Sequence, residues 1–161
     1  MQSDIQAILH QAEEHYLNKL EIADFQNSVA SVAQRLATYK CLRDHEIEIF
    51  QPIAEEIVKA YPEQNPQLLE KVLKQWLAVM RYCAMAMLLN NPEYLERRIL
   101  EWLGQILQAH QMQLVSKTVY ELLLINLEKT LDQKQLVLLQ PFLEQTQASL
   151  VEEQILSTVG A

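Results

Sequence analysis

Glycine is nearly missing from this sequence: there are 2 in 161 residues, beside 5 prolines. Phosphate-cradling loops and dinucleotide-binding turns need glycine at fixed spacing, and neither pattern occurs. Runs of β-branched residues are scarce while Leu, Gln, Glu and Ala abound, so the chain is predicted to be almost wholly helical. Cysteine is confined to Cys41 and Cys83, which suits reduced thiols in a cytoplasm better than a disulfide framework. Basic residues are in the minority, 13 against 21 acidic, for a net charge of −8. No basic face is then available to release counterions from nucleic acid or an anionic membrane. No run approaches the roughly 20 apolar residues of a membrane span, and no signal-peptide pattern is visible. The expectation is a single cytoplasmic domain over residues 1–161, with no membrane span and a core that needs neither metal nor disulfide.

What the sequence has instead is apolar residues at helical spacing. Leu69, Val72, Leu73, Trp76, Leu77, Met80, Cys83, Ala84 and Met87 define one stripe of a long helix. Pro66 suits its first turn, where no backbone donor is needed. Asn90-Asn91-Pro92 ends it, because Asn tolerates left-handed φ and proline disfavours helical geometry in the residue before it. A second amphipathic helix is predicted over 93–109. Ahead of the central stripe, helices are predicted over 4–16 with Ser3 as N-cap, over 22–37, and over 39–60 with a bend or restart at Pro52. Residues 114–129 are apolar nearly all round and are expected to be the most buried helix. Asp132 can cap a last helix that begins near residue 133 and is disturbed at Pro141.

Catalytic and metal constellations are not found. His10 and His15 are five apart and fall on different faces of a helix, which is poor metal spacing. HExxH is missing, no Ser, His and acid cluster is suggested, and no acid, base or nucleophile can be named. The chain is not expected to be an enzyme.

One set of residues is specific enough to suggest a family. Arg81-Tyr82, Ala86-Met87-Leu88, the tight corner before Pro92 and Leu95-Glu96-Arg97-Arg98 resemble the central helix and corner of the phycobiliproteins. Those are the globin-like, bilin-carrying subunits of cyanobacterial light-harvesting antennae. The opening MQSDIQAILHQAEE resembles their N-terminal helix, and the match runs without a gap from about residue 72 to 128. The resemblance implies an all-α, globin-like helical bundle. An N-terminal helical extension over about 1–17 would precede a body over about 18–157.

The departures are as informative. Where the family has its bilin-attaching cysteine, a basic residue two positions on and an aspartate three on, this chain has Val72, Lys74 and Gln75. The thiol and the carboxylate are missing and only a positive charge remains, for a propionate to meet. The resemblance also implies that Glu13, in the N-terminal helix, pairs with Arg81 of the Arg81-Tyr82 motif across a contact between subunits. Cys41-Leu42-Arg43-Asp44 repeats the order of the bilin motif, but some thirty residues early, with Phe50-Gln51 where the Arg-Tyr pair would follow. Cys83 lies on the face of Val72 further along the helix and fits a core thiol, with ligand attachment as the alternative. His110 is a poor haem ligand by position, just past the 93–109 helix.

Two function classes stand. The first is a bilin-free phycobiliprotein-like protein acting through protein contacts in antenna assembly, turnover or regulation. It would be a homodimer, or a heterodimer with a phycobiliprotein-like subunit, through Glu13, Arg81 and Tyr82. The second is a carrier that holds a bilin or haem noncovalently by Lys74, or through Cys41 or Cys83. A helper enzyme for bilin handling has the least support.

Overall fold

The computed structural model describes residues 2–109 and 112–152, and every regular element among them is helical. Eight α-helices follow in order: α1 (Gln2–Glu14), α2 (Lys19–Asp44), α3 (Glu46–Ala60), α4 (Pro66–Leu89), α5 (Pro92–Leu95), α6 (Glu101–Ala109), α7 (Gln113–Thr130) and α8 (Gln133–Gln147). Wider π-type turns join α5 to α6 over Glu96–Leu100 and continue α8 over Ala148–Glu152.

α4 forms the middle of the bundle and packs against α2, α3, α7 and α8. Most of its predicted stripe is buried: Leu69, Val72, Trp76, Met80, Cys83, Ala84 and Met87 lie in the core, whereas Leu73 and Leu77 are half-buried. Val79 and Ala86, outside the stripe, are buried as well. α4 is also long and apolar enough to cross a membrane by length and composition, but here that apolar face is spent on neighbouring helices. Asn65 caps its start ahead of Pro66. At its end Asn90 adopts φ 49° and ψ 48°, while Asn91 N–H returns to Ala86 O and Asn90 N–H to Met87 O. That left-handed corner satisfies carbonyls the last turn would leave open, and it points α5 away from the α4 axis.

Three local expectations differ from the fold. The break predicted near Thr38 is absent, because Thr38 satisfies its hydroxyl within the helix by donating to Gln34 O; the chain turns instead at His45, between α2 and α3. Ser3 lies inside α1 rather than capping it. Pro52 and Pro141 sit inside α3 and α8 without ending them. Each proline leaves the carbonyl four residues earlier without an N–H, and those residues, Glu48 and Val137, are exposed to water. α7 is buried on one side only, with Leu114 and Ile125 in solvent.

The N-terminal portion stands apart from the body. Among residues 5–34 none is buried; Arg35 is the first that is. α1 packs along α2, and α2 starts at a capping box in which Asn18 accepts from Glu21 N–H and the Glu21 carboxylate accepts from Asn18 N–H. The arm therefore includes α1 and the first turns of α2.

Candidate functional site

A cavity of about 600 Å³ opens where α2 ends and meets α4 and α5. α4 supplies Ala78, Tyr82 and Met85, which recur at four and three residues and form a second face of the helix beside its core stripe. Tyr39 and Arg43 come from the last turns of α2, one helical turn apart. Tyr94 comes from α5, delivered by the Asn90 corner, and its ring lies 6.1 Å from that of Tyr82. Arg98 sits 5.7 Å over the Tyr94 ring, a cation–π contact that holds this wall from outside. The lining is an apolar floor with tyrosine walls and charged groups at the rim.

The rim charge is arranged in pairs. Arg81 Nε donates to Glu46 Oε2 at 2.7 Å and its Nη2 to Glu46 Oε1 at 2.5 Å, so the first turn of α3 is tied to α4 by both oxygens of one carboxylate. Arg43 Nε donates to Asp44 Oδ1 at 2.8 Å. That bond is the leading reason the Asp44 carboxyl lies below its ordinary range and the Arg43 guanidinium above its own.

The residues expected from sequence to carry function are dispersed. Arg81 and Tyr82 line the cavity. Glu13 stands on the exposed arm with its carboxylate 3.6 Å from His10 Nδ1. Lys74 is in solvent, 72% exposed, with Nζ 2.6 Å from Glu70 on its own helix. Val72 is in the core and Gln75 is half-buried. Cys41 is half-buried with Sγ 3.8 Å from His45 Nδ1. Burial first, then Asp44 and Asp132, pushes its thiol pKa up, which disfavours the nucleophilic thiolate. Two residues from both Tyr39 and Arg43, it lies on the other side of α2 from the cavity wall. Cys83 is fully buried, its Sγ 3.3 Å from Thr146 Oγ1, and burial pushes its thiol up to about 12. His110 lies outside the described residues. Among the described residues no group of three His, Cys, Asp or Glu could hold a metal ion.

The turn of α4 that carries Val72 faces the core. Trp76, one residue after Gln75, is fully buried, donates its indole N–H to Ser116 Oγ at 2.8 Å, and lies 5.8 Å from the Tyr120 ring. Sequence reasoning missed Tyr39, Glu46, Met85 and Tyr94 as cavity residues. The signal for part of this was present in the Ala78–Tyr82–Met85 spacing, a short apolar stripe off the main one.

No individually curated protein matches the chain. Residues 8–150 match a family model described as phycobilisome protein. That span runs from α1 to the end of the described bundle, through the Asn90 corner and the Arg81-Tyr82 pair, and the all-α architecture is the globin-like fold of that family. The chain belongs to the phycobilisome protein family.

Proposed function

We propose that this chain is a bilin-free, phycobiliprotein-like protein that acts in the cytoplasm through protein contacts, in the assembly, turnover or regulation of an antenna. The observation that carries the reading is the arm. No residue of 5–34 is fully buried, while Leu20 is 78% exposed, Leu9 53% and Val29 48%. Apolar side chains left in water along such an arm are available to a contact with another chain. A second copy or a related subunit fits best. α1 has acidic Glu13 and Glu14 at its end and no basic residue in its last turn, while the cavity rim offers Arg43 and Arg81 beside the apolar face of Tyr82. The arm of one chain would lie on the cleft of the other, with Glu13 toward Arg81.

Val72, Lys74 and Gln75 support the bilin-free part, since none supplies a thiol or a carboxylate. The alternative is a noncovalent bilin or haem carrier. One observation favours it, a cavity within the roughly 300–1,000 Å³ range of small-molecule sites; Lys74, Cys41 and Cys83 do not line it.

Sedimentation equilibrium on the wild type beside Leu20→Asp tests the contact. Leu20 is in the first turn of α2, where aspartate suits the helix dipole, so the fold is kept. Self-association that the substitution abolishes supports the reading, and a wild type that stays monomeric across micromolar concentrations rejects a second copy as the partner. A visible absorption band that survives denaturation, in protein purified from its native host, rejects the bilin-free part.

A further inference from the structure

Arg81 reaches the cleft already engaged. Its Nε and one Nη are taken by Glu46, which leaves three of the five guanidinium donors in a side chain that is 61% exposed against 21% for Glu46. The carboxylate is the sheltered partner, and it sits in the first turn of α3, where the helix dipole favours a negative charge. Arg43 on the same wall is engaged with Asp44. Glu46 is thus the acidic residue of the cavity lining, placed against the arginine that an incoming carboxylate would seek.

We propose that Glu46 determines how tightly the cleft accepts a second copy, by competing with that copy's Glu13 for Arg81. The inference rests on the docking reading given above. An approaching carboxylate meets an arginine whose charge is already offset, and repulsion from Glu46 cancels much of its attraction to Arg81. Glu46 has an opposite effect too, since it holds the guanidinium in one orientation and lowers the ordering cost of docking. The charge effect is the larger one, because the guanidinium keeps donors facing water in either case whereas Glu46 offsets most of its attraction for an anion. Glu46→Gln separates the two, keeping an acceptor of nearly the same shape while removing the charge.

The test is sedimentation equilibrium of the full chain at low and high salt, for the wild type, Glu46→Gln, Glu13→Gln and the double substitution. Glu46→Gln is expected to dimerise about 3- to 10-fold more tightly and to lose that gain as salt rises. The gain is expected to vanish in the Glu13→Gln background. A dimer that forms but is unchanged or weakened by Glu46→Gln overturns the inference and leaves the docking reading standing. Equal tightening with and without Glu13 also overturns it, since Glu46 then opposes some other group. If all four chains remain monomeric, docking of a second copy fails and the inference with it.

Discussion

Glu46 and Arg81, thirty-five residues apart in the chain, share a two-point ion pair at 2.7 and 2.5 Å on the wall of the cavity. The pair joins α3 to α4 at the end of α4 that carries Tyr82, away from the end that carries Val72. The cavity and its charged rim therefore lie toward the corner end of the central helix, while the turns around Val72 face the core with Trp76 and its neighbours. This division separates what holds the fold from what faces outward, and the predictions below test each side of it.

Removing Arg81 is expected to cost little stability. Its guanidinium is mostly in water, and exposed pairs contribute about 0–1 kcal/mol. Urea denaturation of Arg81→Ala should move the midpoint only slightly, with an unchanged slope. A loss of several kcal/mol would mean that the pair is a structural clamp.

The buried hydrogen bond between Trp76 Nε1 and Ser116 Oγ, 2.8 Å long with both side chains inaccessible, should behave in the opposite way. Ser116→Ala leaves the indole N–H unsatisfied, at a cost of about 1–3 kcal/mol. Trp76→Phe leaves a void and an unpartnered hydroxyl. The double substitution should cost less than the sum of the two, because the orphaned groups vanish together. Strict additivity in urea denaturation would show that the bond contributes nothing of its own.

Much of the scaffold was legible because it is local. The stripe from Leu69 to Met87 sets which face of α4 is buried, and Asn90-Asn91-Pro92 sets the corner by the φ each residue tolerates. The Asn18–Glu21 box that starts α2 is equally local and was overlooked, although an Asn followed three residues later by Glu carries the signal. The cavity was not legible for a different reason. Tyr39, Glu46, Met85 and Tyr94 come from four helices, and no sequence spacing relates them; only the crossing of α2 over α4 brings them together. Glu13 and Arg81 could be singled out by resemblance, but the chain's own partner for Arg81 depends on where α3 begins, and that was misplaced by the expected break near Thr38.

The two cysteines should differ sharply in reactivity. Cys83 is sealed in the core with its thiol at about 12, and Cys41 is half-buried. A thiol-reactive chromogenic disulfide at mildly alkaline pH should label Cys41 first and reach Cys83 only when the chain unfolds. The same shift sets a pH dependence. The folded thiol keeps its proton to a higher pH than the unfolded one, whose ordinary value is 9.0. Between 9.0 and about 12 the folded state therefore binds more protons, and stability falls as pH rises through that window. Thermal unfolding of the wild type should decline more steeply there than that of Cys83→Ala, and parallel curves would show that Cys83 does not contribute.

Titration with biliverdin or haemin separates the two function classes at the cavity itself. On the protein-contact reading the tyrosine-lined cleft is a seat for another chain, and its two rim arginines are already engaged with Glu46 and Asp44. A propionate would have to compete with these carboxylates, so no saturable change in the visible spectrum is expected. If one does appear, the position of the variants that abolish it is diagnostic. Loss on Tyr94→Ala or Tyr82→Ala would place the ligand in the cavity between α2, α4 and α5 and favour a carrier. Lys74→Ala should have no effect in either case, because Lys74 extends into solvent beside Glu70 and away from the cavity lining. A requirement for Lys74 would instead mean that a ligand opens the core around Val72 and Trp76, displacing the buried indole from Ser116. Such binding would quench or shift Trp76 fluorescence in step with the visible change, whereas a ligand held by the tyrosines would leave the Trp76–Ser116 bond in place.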